Sequence, residues 1–240
     1  MNGSSCPTVV LVHGGFTDAG SWARVITELR KHDIPVYAPP NPLRGLAADS
    51  AYIASVAERI RGPVILVGHA YGGAVISVAG MADNVVALVY VAAFIPDEGE
   101  SVAELQGRFR DSLLAAHLSA APRPIDGSEP GTDFSIRPDA FRAVFAADLP
   151  QQVTAVLAVA QRPVAEAALA EKATAPAWRC KPSWALIAGA DQVINPEVER
   201  FGADRAASAT VEADGASHAV ALSRPAVVAA LIRDAVDEIS

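Results

Sequence analysis

Residues 63–73 read Pro63-Val64-Ile65-Leu66-Val67-Gly68-His69-Ala70-Tyr71-Gly72-Gly73. A short apolar run that breaks at once into a glycine-spaced turn predicts a buried strand, a sharp bend and a helix start. The spacing is that of Gly-x-Ser-x-Gly, in which a serine hydroxyl stands exposed at the top of a strained turn. The flanking glycines are needed because a side chain there would collide in so tight a bend. Alanine at position 70 keeps that backbone and removes Oγ. The stretch therefore reads as a nucleophile position without its nucleophile, where no acyl-enzyme can form.

Upstream, Thr8 to Val12 is a β-branched run ending in His13-Gly14-Gly15, a strand leading into a glycine loop. Ser21 to Lys31 has helical spacing, Ile34 to Ala38 reads as a second strand, and Ser50 to Ile60 as a second helix. After the elbow, the small residues of Ala74 to Gly80 predict a helix packed closely on a sheet. Val85 to Val91 is another buried strand. Continuous apolar strands alternating with helices predict a mostly parallel sheet covered on both faces.

From Pro96 to about Lys181 that rhythm stops. Ser101 to Leu118, Asp139 to Ala147, Pro150 to Gln161 and Val164 to Lys172 read as helices, and Ala121 to Pro138 as a loop. The segment is expected to be a helical lid, 96–181, inserted into a core made of 1–95 and 182–240. The sheet resumes at Ser183 to Ala188, with a short strand near Thr210 to Glu212. A last helix runs from Pro225 to about Ile239.

The chain has 240 residues, 51% of them hydrophobic, enough to bury the core of one α/β domain. Its net charge of -8 argues against a nucleic-acid partner, which needs a basic face. Cys6 and Cys180 form no disulfide framework and no metal-type spacing, so two reduced thiols in a cytoplasmic protein are expected. No apolar run is long enough to span a membrane, and the N-terminus lacks a basic stretch before a signal-like segment. Neither a dinucleotide loop, a P-loop nor a metal-ligand cluster is present, so no cofactor and no metal are expected.

Three features occur in order along nearly the whole length. They are Val12-His13-Gly14-Gly15-Phe16, the elbow, and an Asp then a His in the C-terminal third: Asp191 in Gly189-Ala190-Asp191-Gln192 and His218 in Gly215-Ala216-Ser217-His218-Ala219. With them the chain resembles the α/β-hydrolase superfamily, of the small bacterial esterase type, its one departure being Ala70. Phe94 to Glu100 and Pro176-Ala177-Trp178 also look like that group. The resemblance implies an α/β-hydrolase fold and a triad in the chain order Ser, Asp, His. The catalytic positions are then Ala70, Asp191 and His218. Asp191 and His218 follow strands, where open α/β sheets place ligands. A loop histidine and a turn carboxylate are the plain alternatives. Asp214 is the rival acid, but it shares the His218 loop, so topology favours Asp191. His13 and His69 read as structural, His32 and His117 as surface positions.

For the oxyanion hole, the residue after the nucleophile supplies one N–H, here Tyr71. The resemblance points to Phe16 or Gly15 for the other, with Phe16 preferred. Lid aromatics are expected to line the substrate pocket: Trp178, Phe141, Phe145 and Phe109, with Leu113 and Phe134 as further candidates. Each has a plain alternative as packing within the lid. Arg162 near the lid edge is a candidate for a carboxylate.

The function implied is a carboxylic ester hydrolase, an esterase or lactonase acting on a small, fairly apolar ester. This chain would be its form inactivated by a Ser-to-Ala change at position 70. The alternative is a natural non-hydrolytic member: a small-molecule binding protein, or a lyase or cyclase with His218 as base. A homodimer is compatible with the sequence, and no feature demands one.

Overall fold

In a computed structural model, which describes residues 6–110, 112–125 and 130–240, the apolar runs pair into one parallel sheet. The first half runs β1 (Thr8–Val12), α1 (Ala23–Arg30), β2 (Val36–Tyr37), α2 (Leu46–Glu58), β3 (Val64–Ala70), α3 (Tyr71–Ala79) and β4 (Val85–Ala93). An insertion follows with α4 (Val102–Gln106), β5 (Leu118–Arg123), β6 (Gly131–Ile136), α5 (Phe141–Phe145), α6 (Gln151–Val159), β7 (Val164–Ala165) and α7 (Glu166–Ala170). The chain returns through β8 (Ser183–Ala188), α8 (Pro196–Arg205), β9 (Ala209–Ala213), α9 (Val220–Ser223) and α10 (Pro225–Ile239). Strand order in the main sheet is β2-β1-β3-β4-β8-β9, every pair parallel.

The period of two along β3 explains the layers. Val64 and Leu66 face one core, packed by α2, α3 and the insertion. Ile65 and Val67 face the other, packed by α1 and α10. All seven residues of β3 are buried, so the strand is central and its carboxyl end, at Ala70, is held from both sides. Truncating a fully buried residue such as Ile65 to alanine costs about 2–5 kcal/mol. In α10 the buried Val228, Leu231, Ile232, Ala235 and Val236 recur at helical spacing, and Pro225 stands in the first turn, where its missing N–H costs nothing.

The insertion is not the all-helical lid that its sequence suggests. It contains a three-stranded antiparallel sheet, β5-β6-β7, beside four short helices. β6 lies wholly, and β5 from Ala121 on, where a loop was expected; β5 begins at Leu118, the expected end of a helix, and β7 begins a stretch expected to be wholly helical. Residues 126–129, between β5 and β6, lie outside the described residues. β5 reads Leu-Ser-Ala-Ala-Pro-Arg and is mostly exposed, so it carries no apolar alternation, and only its pairing with β6 makes it a strand. The long helix expected over 101–118 shrinks to α4, capped by Ser101 and Glu104 in a capping box and ending at Gly107.

Helix α8 had no sequence expectation, because its buried stripe is narrow. Only Val198, Glu199, Gly202 and Ala203 point inward. Its start is marked by Asn195, whose side chain accepts from the Glu197 N–H at 3.0 Å, and by Pro196 at the first position.

Polar ties hold the insertion over the sheet. The Arg44 guanidinium reaches both oxygens of Asp133 on β6 at 2.9 Å and the Pro163 carbonyl at 2.7 Å. The Ala165 N–H donates to the Leu43 carbonyl at 3.0 Å. Among the described residues no helix is long and apolar enough to cross a membrane.

Candidate active site

Ala70 sits between β3 and α3 with φ 52° and ψ -120°. A non-glycine residue adopts that conformation only when its surroundings impose it, at a cost of about 1–3 kcal/mol. The two flanking glycines impose it. A Cβ on Gly68 would lie 2.5 Å from the Gly72 carbonyl oxygen, and a Cβ on Gly72 would lie 2.4 Å from that of Val12. The helix therefore begins hard against β1, and the side chain at position 70 projects above the sheet. The Ala70 carbonyl is held by the Phe94 N–H at 3.2 Å.

His218 follows β9 and Asp191 follows β8, and the two meet. His218 Nδ1 lies 2.5 Å from Asp191 Oδ2, with both residues buried. Asp191 Oδ1 accepts the Val193 N–H at 2.7 Å and the Ile194 N–H at 2.9 Å. The carboxylate thus accepts three hydrogen bonds, and it fixes Nδ1 as the protonated ring nitrogen, leaving Nε2 as a base on the cavity side. Asp214 is exposed on its turn and makes no such contact. The His218 loop is clamped on both sides by the insertion: Ser217 Oγ donates to Asp148 at 2.5 Å, and the Ala219 N–H donates to the Phe145 carbonyl at 3.0 Å.

The other two buried histidines are structural. His13 donates from Nδ1 to the Gly14 carbonyl at 2.8 Å and accepts the Asn41 N–H at Nε2, 2.9 Å away. His69 donates from Nε2 to the His218 carbonyl at 2.9 Å, its ring 4.5 Å from that of His218. Burial first, and the neighbouring His218 second, hold His69 well below the usual imidazole range. It stays neutral and steadies the His218 backbone.

Among the backbone N–H groups near position 70 without a protein partner in the described residues are that of Tyr71, at the start of α3, and that of Gly15. Phe16, the preferred second oxyanion donor on sequence grounds, is already committed. Its N–H donates to the Arg162 carbonyl at 3.1 Å. The Tyr71 hydroxyl donates to Asp49 at 2.8 Å, away from the cavity. Burial raises the Asp49 carboxyl, and the hydrogen bonds it accepts from Tyr71, Arg44 and Gly45 partly offset that rise.

A cavity of about 290 Å³ covers the site, with Ala70, Tyr71, Gly15, Phe16 and His218 at its floor. Its walls are Phe94, Val102, Leu114, Leu118, Val164, Leu169 and Val193, with Gln106 as the one amide. The four aromatics expected there lie elsewhere. Phe141 and Phe145 stack on each other at 5.0 Å and border a separate hollow behind Phe16. Phe145 also meets the His218 ring edge-on at 4.9 Å. Phe109 packs on Phe201 at 5.6 Å, and Trp178 donates to the Pro96 carbonyl at 2.9 Å. These four rings fill joints of the insertion, and the hollow is lined mainly by aliphatic residues together with Phe94. Sequence reasoning missed those aliphatic residues, since nothing local distinguishes them from core.

The sequence matches the model of the alpha/beta hydrolase family over residues 9–231. The chain belongs to that family. No curated protein sequence matches it. Among solved structures it is similar to polyneuridine aldehyde esterase, at TM-score 0.82 and 18% identity over 95% of this chain and 98% of that one. It is similar to a pyrethroid hydrolase from Sphingobium faniae, at 0.77 and 21% over 96% and 97%. Tomato methylketone synthase I complexed with 2-tridecanone matches at 0.77 and 16% over 98% and 99%. At these identities the likenesses establish the shared fold.

Proposed function

We propose that this site is built for carboxylic ester hydrolysis through an acyl-enzyme, and that Ala70 stops the reaction at ligand binding. The observation that carries the reading is the buried His218–Asp191 pair, set on loops beside the strained position 70 and beneath an apolar cavity. With serine at position 70, Nε2 of His218 takes the hydroxyl proton as Oγ attacks the ester carbonyl, and Asp191 stabilises the resulting imidazolium. The Tyr71 and Gly15 N–H groups receive the oxyanion, Gly15 replacing Phe16 in that role because its N–H is uncommitted. His218 returns the proton to the leaving alcohol, and water then releases the acid by the same route in reverse. The cavity lining favours a small, largely apolar ester or lactone. Two esterases among the similar folds support the class of reaction.

The test pairs the chain with its Ala70→Ser variant on short p-nitrophenyl esters and lactones. We expect turnover only from the serine form. The alanine form retains at most the ~10³–10⁴-fold over water that a site lacking one triad member supplies. No turnover from either form sinks the hydrolase reading.

A second reading takes Ala70 as native and His218 as the base of a non-hydrolytic reaction, or the cavity as a binding site alone. It is favoured by the intact His218–Asp191 pair beside an alanine, and by the likeness to a synthase holding a long-chain ketone. It requires activity or tight binding in the Ala70 chain. A His218→Ala change abolishes that activity under the lyase version and spares binding under the other.

A further inference from the structure

Behind the His218–Asp191 pair lies a carboxyl that the reaction above does not use. Glu199 on α8 is 1% exposed. Its Oε2 accepts the Ala188 N–H at 2.9 Å, while the Ala188 carbonyl accepts the Asp191 N–H at 3.1 Å, so one residue of β8 ties both acids together. The Asp191 carboxylate is the charged group that acts most strongly on the Glu199 carboxyl. Its Oε1 is buried, and no N–H or O–H of the described residues reaches it.

Two neighbouring buried carboxylates disfavour each other's ionisation. The donors decide which one yields. Asp191 receives two backbone N–H groups and the His218 ring, whereas Glu199 receives one N–H. The adjacent Arg200 guanidinium is bound to Glu212 on β9 and offsets the rise at Glu199 only as its smallest influence. Burial, and then the Asp191 charge, push the Glu199 carboxyl well above the ordinary glutamate range. A proton on Oε1 removes the repulsion and gives that buried oxygen a partner in Asp191.

We propose that Glu199 is a positioning residue that carries a proton at neutral pH and donates it as a hydrogen bond to Asp191. It holds the carboxylate that orients His218 and withdraws part of its charge, which sets the basicity of His218. This role bears on the proposed reaction, but its first test needs no turnover.

In the Ala70 chain at neutral pH, infrared difference spectra between the parent and Glu199→Gln should show the carbonyl band of a neutral carboxylic acid lost in the variant. Nitrogen-15 NMR titration of His218 reads the coupling. Glutamine donates and accepts as the neutral acid does, so its His218 midpoint should stay within about 0.3 unit of the parent's. Glu199→Leu removes the donor, concentrates charge on Asp191, and should raise the midpoint by about half a unit or more. No band lost, or a midpoint that falls by about one unit in Glu199→Gln, means an ionised Glu199 and overturns the proposal. An unchanged midpoint in a folded Glu199→Leu protein overturns the hydrogen bond. Should that variant not fold, the glutamine variant and the infrared band still decide. In the Ala70→Ser protein, Glu199→Leu should lower kcat/KM about tenfold and move its acidic limb upward, with Glu199→Gln restoring both. If Ala70→Ser turns nothing over while the spectra behave as stated, the hydrolase reading fails and the proposal on Glu199 stands.

Discussion

Beneath the floor of the cavity, a Cβ added to Gly72 would come within 2.4 Å of the Val12 carbonyl oxygen; on its wall, one added to Gly107 would meet nothing closer than 3.4 Å. The two regions close over one space by different means. The floor is set by backbone contacts that admit a single residue type, a positive φ at position 70, and a polar network that holds Asp191 and, through Nδ1, His218. The wall is a short helix, a half-exposed three-stranded sheet and aliphatic side chains of middling size. Chemistry that needs atoms placed to within a few tenths of an ångström sits on the rigid part. Ligand choice, which needs only volume and apolarity, is left to the part that tolerates substitution.

That contrast breaks most sharply at the glycines. Gly72→Ala forces α3 away from β1 and should cost about 4 kcal/mol or more, read by urea unfolding, because backbone atoms cannot yield as a side chain would. Gly107→Ala should change stability by less than about 0.5 kcal/mol. Equal effects at the two positions would show that floor and wall are equally tolerant. A narrower version uses the wall alone. Leu118→Phe should weaken the best ligand of the Ala70 chain about tenfold or more by calorimetry, the scale of one misfitted carbon or two in an apolar pocket. Leu118 is half-buried, so unfolding should barely move. An unchanged affinity would place the ligand outside this cavity.

The ties between the regions come next. Arg44→Met removes the bonds to Asp133 and to the Pro163 carbonyl. It should cost about 1 kcal/mol, and the loss should be local. Hydrogen exchange is expected to quicken in β6 and β7 and to stay unchanged in α3. Quickening in α3 as well would mean that the insertion and the elbow open together.

The same contrast explains what could be read from the chain. The elbow was legible because its constraint is local: strand, glycine spacing and helix start lie within eleven consecutive residues. Asp191 and His218 were legible because chain order and the glycines around them stand in for geometry. The strands of the insertion were not, since β5 becomes a strand only through pairing with β6 and β7. The partner of the Phe16 N–H could not be read for the same reason: the carbonyl it binds belongs to Arg162, far along the chain. Nothing local in the sequence separates Phe94, which lines the cavity, from Trp178, Phe141, Phe145 and Phe109, which lie outside its lining. Glu199 was invisible, since a glutamate on a polar helix reads as solvated surface.

The smallest expected effect is a slope, and it compares the buried acid with its neutral twin. A carboxyl raised above its ordinary value of 4.5 stays protonated in the folded chain while the unfolded chain ionises. Over the window from about 4.5 up to its raised folded value, the unfolded state therefore binds fewer protons, and stability falls as pH rises. Each half unit of pH in that window removes at most about 0.7 kcal/mol through this one group. Glutamine at position 199 has nothing to ionise. The stability of Glu199→Gln minus that of the parent should therefore grow from pH 5.0 to 5.5, with other titrating groups cancelling in the difference, as read by paired urea unfolding at the two pH values. A flat difference would mean that Glu199 ionises in the folded chain as it does in the unfolded one. A difference that shrinks would mean its folded value lies below 4.5, as for a carboxylate with a cation beside it, and the floor of the cavity would then hold two negative charges instead of one.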